Sequence, residues 1–60
     1  MELHKYSDKK VRLITHNGKV FEGIAYDFIP PQDNPDGIAS ISIGDYEFSE
    51  NHIKSIDVIE

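Results

Sequence analysis

Sixty residues with a net charge of −5 and no cysteine allow one domain, spanning 1–60, with a marginal core, because so short a chain buries only about 60% of its unfolded surface. The absence of cysteine excludes disulfides and thiolate metal sites and suits a reducing cytoplasm. No apolar run approaches the ~20 residues of a membrane span, and Met1 to Lys10 lacks the apolar segment of a signal peptide, so a cytoplasmic protein away from membranes is expected.

The charge is unevenly placed. Residues 1–20 carry five basic and two acidic side chains, a balance of +3, whereas residues 21–60 carry nine acids against Lys54, a balance of −8. An acidic domain repels phosphate at long range, which disfavours generic nucleic-acid binding. The asymmetry suits head-to-tail self-association, and so small a core points to other subunits as a further source of stability.

In chain order, Leu3 and Tyr6 stand three apart with Val11 beyond, which predicts one short helical turn inside Met1 to Asp8, ended by Ser7-Asp8. Lys10 to His16 alternates as a first strand, Val11, Leu13 and Thr15 against Arg12, Ile14 and His16. Asn17-Gly18 predicts a type I′ hairpin turn, with positive φ at both residues. The return strand, Lys19 to Ile29, is the centre of the fold. Val20, Ile24, Tyr26 and Phe28 share one face with Glu22; Phe21, Ala25 and Ile29 share the other with Gly23 and Asp27. Apolar groups on both faces require cover on both sides, which a short chain achieves by bending one strand into two sheets, and Gly23 marks the bend.

Pro30 to Gly37 holds three prolines and an Asp-Gly turn, so it is a stiff loop rather than a strand. Ile38 to Ile43 alternates with Ala39, Ile41 and Ile43 inward and Ser40 and Ser42 outward. Gly44-Asp45 turns the chain into a very short strand, Tyr46 to Phe48, whose Glu47 faces outward and makes an exposed edge less adhesive. Ser49 to His52 reads as a single 3₁₀ turn, and Ile53 to Ile59 as the last strand. The expected core is Val11, Leu13, Phe21, Ala25, Ile41, Ile43, Phe48, Ile56 and Val58, with Ile24 and Tyr26 filling the far side of the bent strand. The fold class is therefore all-β with a short N-terminal helical turn, a five-stranded, strongly bent SH3-like or Sm-like barrel.

Candidate sites are few. His4, His16 and His52 lie on separate elements without metal-ligand spacing, although closing the barrel would bring two of them together. Asp33-Asn34-Pro35-Asp36-Gly37 has the residues of a calcium loop but not the acid spacing, and a β-turn with Asx hydrogen bonds accounts for it better. No serine, threonine or lysine stands in a context that activates a nucleophile, so no catalytic residue, cofactor or metal is expected. Asp27 shares a face with Phe21 and Ala25, which allows partial burial, and its expected role is to cap the bend or the loop. The tyrosines and phenylalanines are first needed as core; Tyr26, beside Phe28 and the prolines, is the expected exposed exception, a stacking surface for a base or a proline-rich peptide.

Gly18, Phe21, Gly23 and Ala25, the spacing Gly-x-x-Phe-x-Gly-x-Ala on the long second strand, resemble the first motif of the Sm-like (LSm) family, and Ile53-Lys54-Ser55-Ile56 resembles the apolar pair of its second motif. The likeness runs over most of residues 10–59. It implies a helix-capped bent barrel that oligomerises, the fourth strand of one subunit pairing with the fifth of the next to close a ring. Two departures bear on RNA. Asp27 follows Gly23 too closely, and Phe28-Ile29-Pro30-Pro31 replaces the run that supplies a base-holding asparagine. Ser49 and Glu50 stand where the family places a base-stacking cation. The chain is thus expected to be a non-enzymatic binding or assembly module. It would be a homo-oligomer mated through Tyr46, Phe48, Ile53 and Ile56, and would bind single-stranded RNA weakly if at all. The alternative is an SH3-like protein-interaction or structural barrel with a protein partner and no nucleic-acid role. Any ligand or RNA surface is expected at Tyr26, Asp33, Asn34, Ser49, Asn51 and His52, and a phosphate-facing patch at Lys5, Lys9, Lys10 and Arg12.

Overall fold

A computed structural model describes residues 1–59. It contains five antiparallel strands, β1 (Lys10–Thr15), β2 (Val20–Ile29), β3 (Ser40–Ile43), β4 (Tyr46–Ser49) and β5 (Ile53–Val58), with single 3₁₀ turns at Leu3–Tyr6, Pro31–Asp33 and Glu50–His52. The strand order is β4-β3-β2-β1-β5. No strand is longer than β2, which belongs to two sheets. Its first half pairs with β1, from Val20 opposite Ile14 to Ile24 opposite Lys10. Its second half pairs with β3, Ala25 opposite Ile43 and Ile29 opposite Ser40.

The changeover falls between Ile24 and Ala25, one residue past Gly23, where the sequence places the bend. A Cβ at Gly23 would meet Ile43 Cγ2 at 3.0 Å, and the φ of +158° is one that side chains disfavour. Glycine lets β3 approach the bend closely. A second irregularity follows at Asp27, where a φ of +56° shifts the register between Tyr26 and Ile29. This bulge leaves the Asp27 carboxylate exposed rather than partly buried, because it aims the side chain away from the face shared by Phe21 and Ala25.

The core consists of Leu3, Val11, Leu13, Ala25, Ala39, Ile41, Ile43, Phe48, Ile53 and Ile56, with Tyr6, Phe21 and Phe28 packed at its margin. Each fully buried large aliphatic side chain contributes about 1.5–3 kcal/mol. Leu3 belongs to this core because the N-terminal turn is tied to the bend: the Asp8 amide donates to the Ala25 carbonyl at 2.7 Å, and the Ala25 amide donates to the Lys9 carbonyl at 2.9 Å.

Four further expectations are corrected. Asn17 does not take a positive φ. The turn runs from Thr15 to Gly18, with the Gly18 amide donating to the Thr15 carbonyl at 2.9 Å and only Gly18 (φ +85°) in the left-handed region, so the hairpin has a three-residue loop with a glycine bulge. The Thr15 hydroxyl, which donates to Asn17 Oδ1 and accepts from the Lys19 amide, holds it. Ile24 (53% exposed) and Tyr26 (43%) lie exposed on the outer face of β2; the core packs on the other side, and no second layer among the described residues buries the outer one. Val58 (45% exposed) is aligned with buried Val11 but stands at the open end of an edge strand. Ser40 and Ser42 point away from the core yet are buried. The loop after β2 covers the first, with Asn34 Nδ2 donating to the Ile38 carbonyl at 2.6 Å and to Ser40 Oγ at 3.2 Å, while Ser40 Oγ donates to Glu47 at 3.0 Å.

Candidate functional site

The sheet ends at β4 and β5, and no register joins these two strands among the described residues. Their connection, Glu50–His52, folds back toward the β1–β2 turn, with the His16 amide donating to the His52 carbonyl at 3.3 Å. The mating residues expected from sequence divide into two kinds. Phe48, Ile53 and Ile56 are buried, so their strands offer a neighbour backbone groups, whereas Tyr46 is 60% exposed. Tyr46 stands opposite Ile43 and Val58 opposite Val11, which gives both an inward facing at the two open margins of one core.

The expected ligand surface is not one surface. Asn51 joins Met1, Pro31 and Gly37 around a shallow depression of about 340 Å³. His52 opens on a different cleft. Asn34 is committed to the loop, as above. Asp33 closes the Pro31–Asp33 turn, its amide donating to the Pro30 carbonyl at 3.0 Å, and Ser49 stands opposite Ser40 at the end of β4. The hydroxyl of Tyr26 donates to the Gly44 carbonyl, which lays its ring along the β3–β4 hairpin rather than toward the prolines. The Asx reading of the loop does hold, since the Ile38 amide donates to Asp36 Oδ1 at 3.0 Å.

The phosphate-facing patch is weakened by its own neighbours. Arg12 Nε donates to Glu22 Oε2 at 2.6 Å across the outer face of β1 and β2, and Asp57 flanks it on the β5 side. Lys5 stands 3.6 Å from Glu2. Lys9 and Lys10 remain without an ion-pair partner among the described residues. Exposed pairs of this kind contribute under about 1 kcal/mol to stability, but they cancel charge where phosphate would need it.

The sequence does not single out the second cleft, a concavity of about 390 Å³ at the meeting of the β1–β2 and β4–β5 turns. Phe21 and Phe48 form its floor, ring centroids 4.8 Å apart, with Tyr46 5.3 Å from Phe21. His16, Asn17 and Lys19 rise on one side and His52 on the other. The pairing of Thr15 with Ile53 brings these turns together, so the available signal was the adjacency of first and last strands combined with the separated histidines. His4 lies apart, edge-on to Phe28 at 6.2 Å. No helix among the described residues is long and apolar enough to cross a membrane. Comparison with family models, curated proteins and solved structures found no match to this chain.

Proposed function

We propose that this chain is a non-enzymatic, cytoplasmic assembly module of Sm-like type, in which the β4 edge of one subunit receives the β5 edge of the next. The observation that carries the reading is the pair of open margins. Tyr46 on β4 and Val58 on β5 both face the core side, yet are 60% and 45% exposed. Adding one edge to the other continues the sheet, satisfies backbone groups at both margins and covers both side chains in a single step. Because the two edges differ, the contact is heterologous and closes into a ring if the rotation allows. Gel filtration with light scattering tests the proposal: a defined multimer is expected, and a monomer persisting at tens of micromolar ends it.

Whether such a module carries RNA is a separate matter. The balance of −8 over residues 21–60 and the pairing of Arg12 with Glu22 favour the second reading, an SH3-like module that meets other proteins and no nucleic acid. Titration against uridine-rich and adenine-rich single strands separates the two. Phosphate contacts are strongest at low salt, so failure to bind there removes the RNA role. Measurable, salt-sensitive binding removes the second reading instead.

A further inference from the structure

We propose that the cleft between the β1–β2 and β4–β5 turns is a binding site for a small molecule that joins a planar aromatic ring to an anionic group. The inference rests on the chemistry of the walls and is independent of the assembly proposed above. The chain carries eleven acidic residues, yet none of the seven residues lining this cleft is acidic. The nearby acids are engaged elsewhere: Glu22 with Arg12 on the outer face, Glu47 with Ser40, and Glu50 with the N-terminal amine at 3.8 Å. What remains around the cleft is the Lys19 ammonium, the imidazoles of His16 and His52, and the Asn17 amide. Lys19 has no ion-pair partner among the described residues, so in a molecule of net charge −5 this is a local concentration of donors.

The floor supplies the other half of the recognition. Phe21 is half-buried and Phe48 buried, and their rings meet at an interplanar angle of 58°. An aromatic ring laid on the accessible part of Phe21 gains stacking or edge contact, while its charged substituent reaches the donors at the rim. Charge-assisted hydrogen bonds from lysine and imidazole are stronger than neutral ones, so the anion adds affinity as well as orientation. The size suits such a ligand, since a volume of about 390 Å³ lies within the range of small-molecule sites. The positions at which the Sm-like resemblance would place a base, Asp27 onward and Ser49-Glu50, do not line this cleft.

Calorimetry and two-dimensional NMR on the whole chain test the proposal with three probes: adenosine monophosphate, which has both parts, adenosine, which lacks the anion, and inorganic phosphate, which lacks the ring. The monophosphate is expected to bind about tenfold more tightly than either fragment, with shifts confined to Thr15, His16, Asn17, Lys19, Phe21, Phe48 and His52. Lys19→Glu, on an exposed residue at the hairpin, should leave the fold intact and weaken the monophosphate about tenfold, and His52→Gln should weaken it less. Three results would each overturn the proposal: no binding at millimolar ligand, equal affinity for adenosine and its monophosphate, or shifts centred on the loop at 30–37. An unchanged affinity in Lys19→Glu would do the same, because the rim would then not be reading the charge.

Discussion

Replacing Gly23 tests the bend at its narrowest point. In Gly23→Ala the new methyl would sit 3.0 Å from Ile43 Cγ2, so β3 must yield by some tenths of an ångström. Overpacking of this kind costs about 1–3 kcal/mol. A side chain at φ +158° adds strain of about 1 kcal/mol, and the stiffer unfolded chain offsets about 0.4–1 kcal/mol. The net loss is about 2 kcal/mol, set against a total stability of roughly 3–9 kcal/mol for a domain of this size. Urea unfolding should therefore show a large fall in midpoint at an unchanged slope, and Gly23→Val should fail to fold. The contact can be isolated with Ile43→Ala. That change alone opens a cavity costing about 2–4 kcal/mol, but in the Gly23→Ala background it should cost at least ~1 kcal/mol less. Equal stability of Gly23→Ala and the parent, or strict additivity of the two changes, would show that β2 turns between its sheets without needing the absent Cβ.

Other expectations follow from single contacts. Leu3→Ala should cost about 2–4 kcal/mol in urea unfolding, because Leu3 is fully buried although it stands on a single turn near the terminus; a cost below ~0.5 kcal/mol would mean that the turn is not docked. Gly18→Ala should cost about 1 kcal/mol through its left-handed φ alone, since nothing lies within 4 Å of the added methyl, and Gly18→Asn should recover part of that. Glu22→Gln should change stability by less than ~1 kcal/mol, because the pair with Arg12 is half exposed, and should raise affinity for single-stranded RNA at low salt if any is measurable. Val58→Lys should leave the monomer's stability nearly unchanged, the side chain being exposed, while abolishing the multimer in light scattering.

Much of the architecture was legible because its signals were local and agreed with one another. A strand apolar on both faces with a glycine near its middle predicts pairing into two sheets and cover on both sides; β2 does pair into two sheets, but its outer face stays uncovered. Turn type was not legible: Asn-Gly suits a type I′ turn and the three-residue loop equally at Gly18, and the choice was made by the Thr15 hydroxyl holding Asn17 and the Lys19 amide. Parity places Val20, Ile24 and Tyr26 on one face, but the inference that an apolar face must be covered fails there, because parity carries no information about a second layer. Among the described residues that face stays open. Leu3 was similarly hidden, since one helical turn has almost no pattern, and its burial depends on Asp8 and Lys9 reaching the Ala25 backbone. The candidate cleft combines side chains from two turns far apart in sequence. Only the pairing of β1 with β5 brings His16 to His52.

Amide hydrogen exchange, followed residue by residue at increasing protein concentration, tests edge-to-edge assembly most directly. Amides of Tyr46–Ser49 and Ile53–Val58 that point away from the sheet should exchange freely when dilute and become protected together as concentration rises, while those of β2 stay protected throughout. Exchange at both edges that is the same at every concentration, or protection appearing on the outer face of β2 instead, would contradict it.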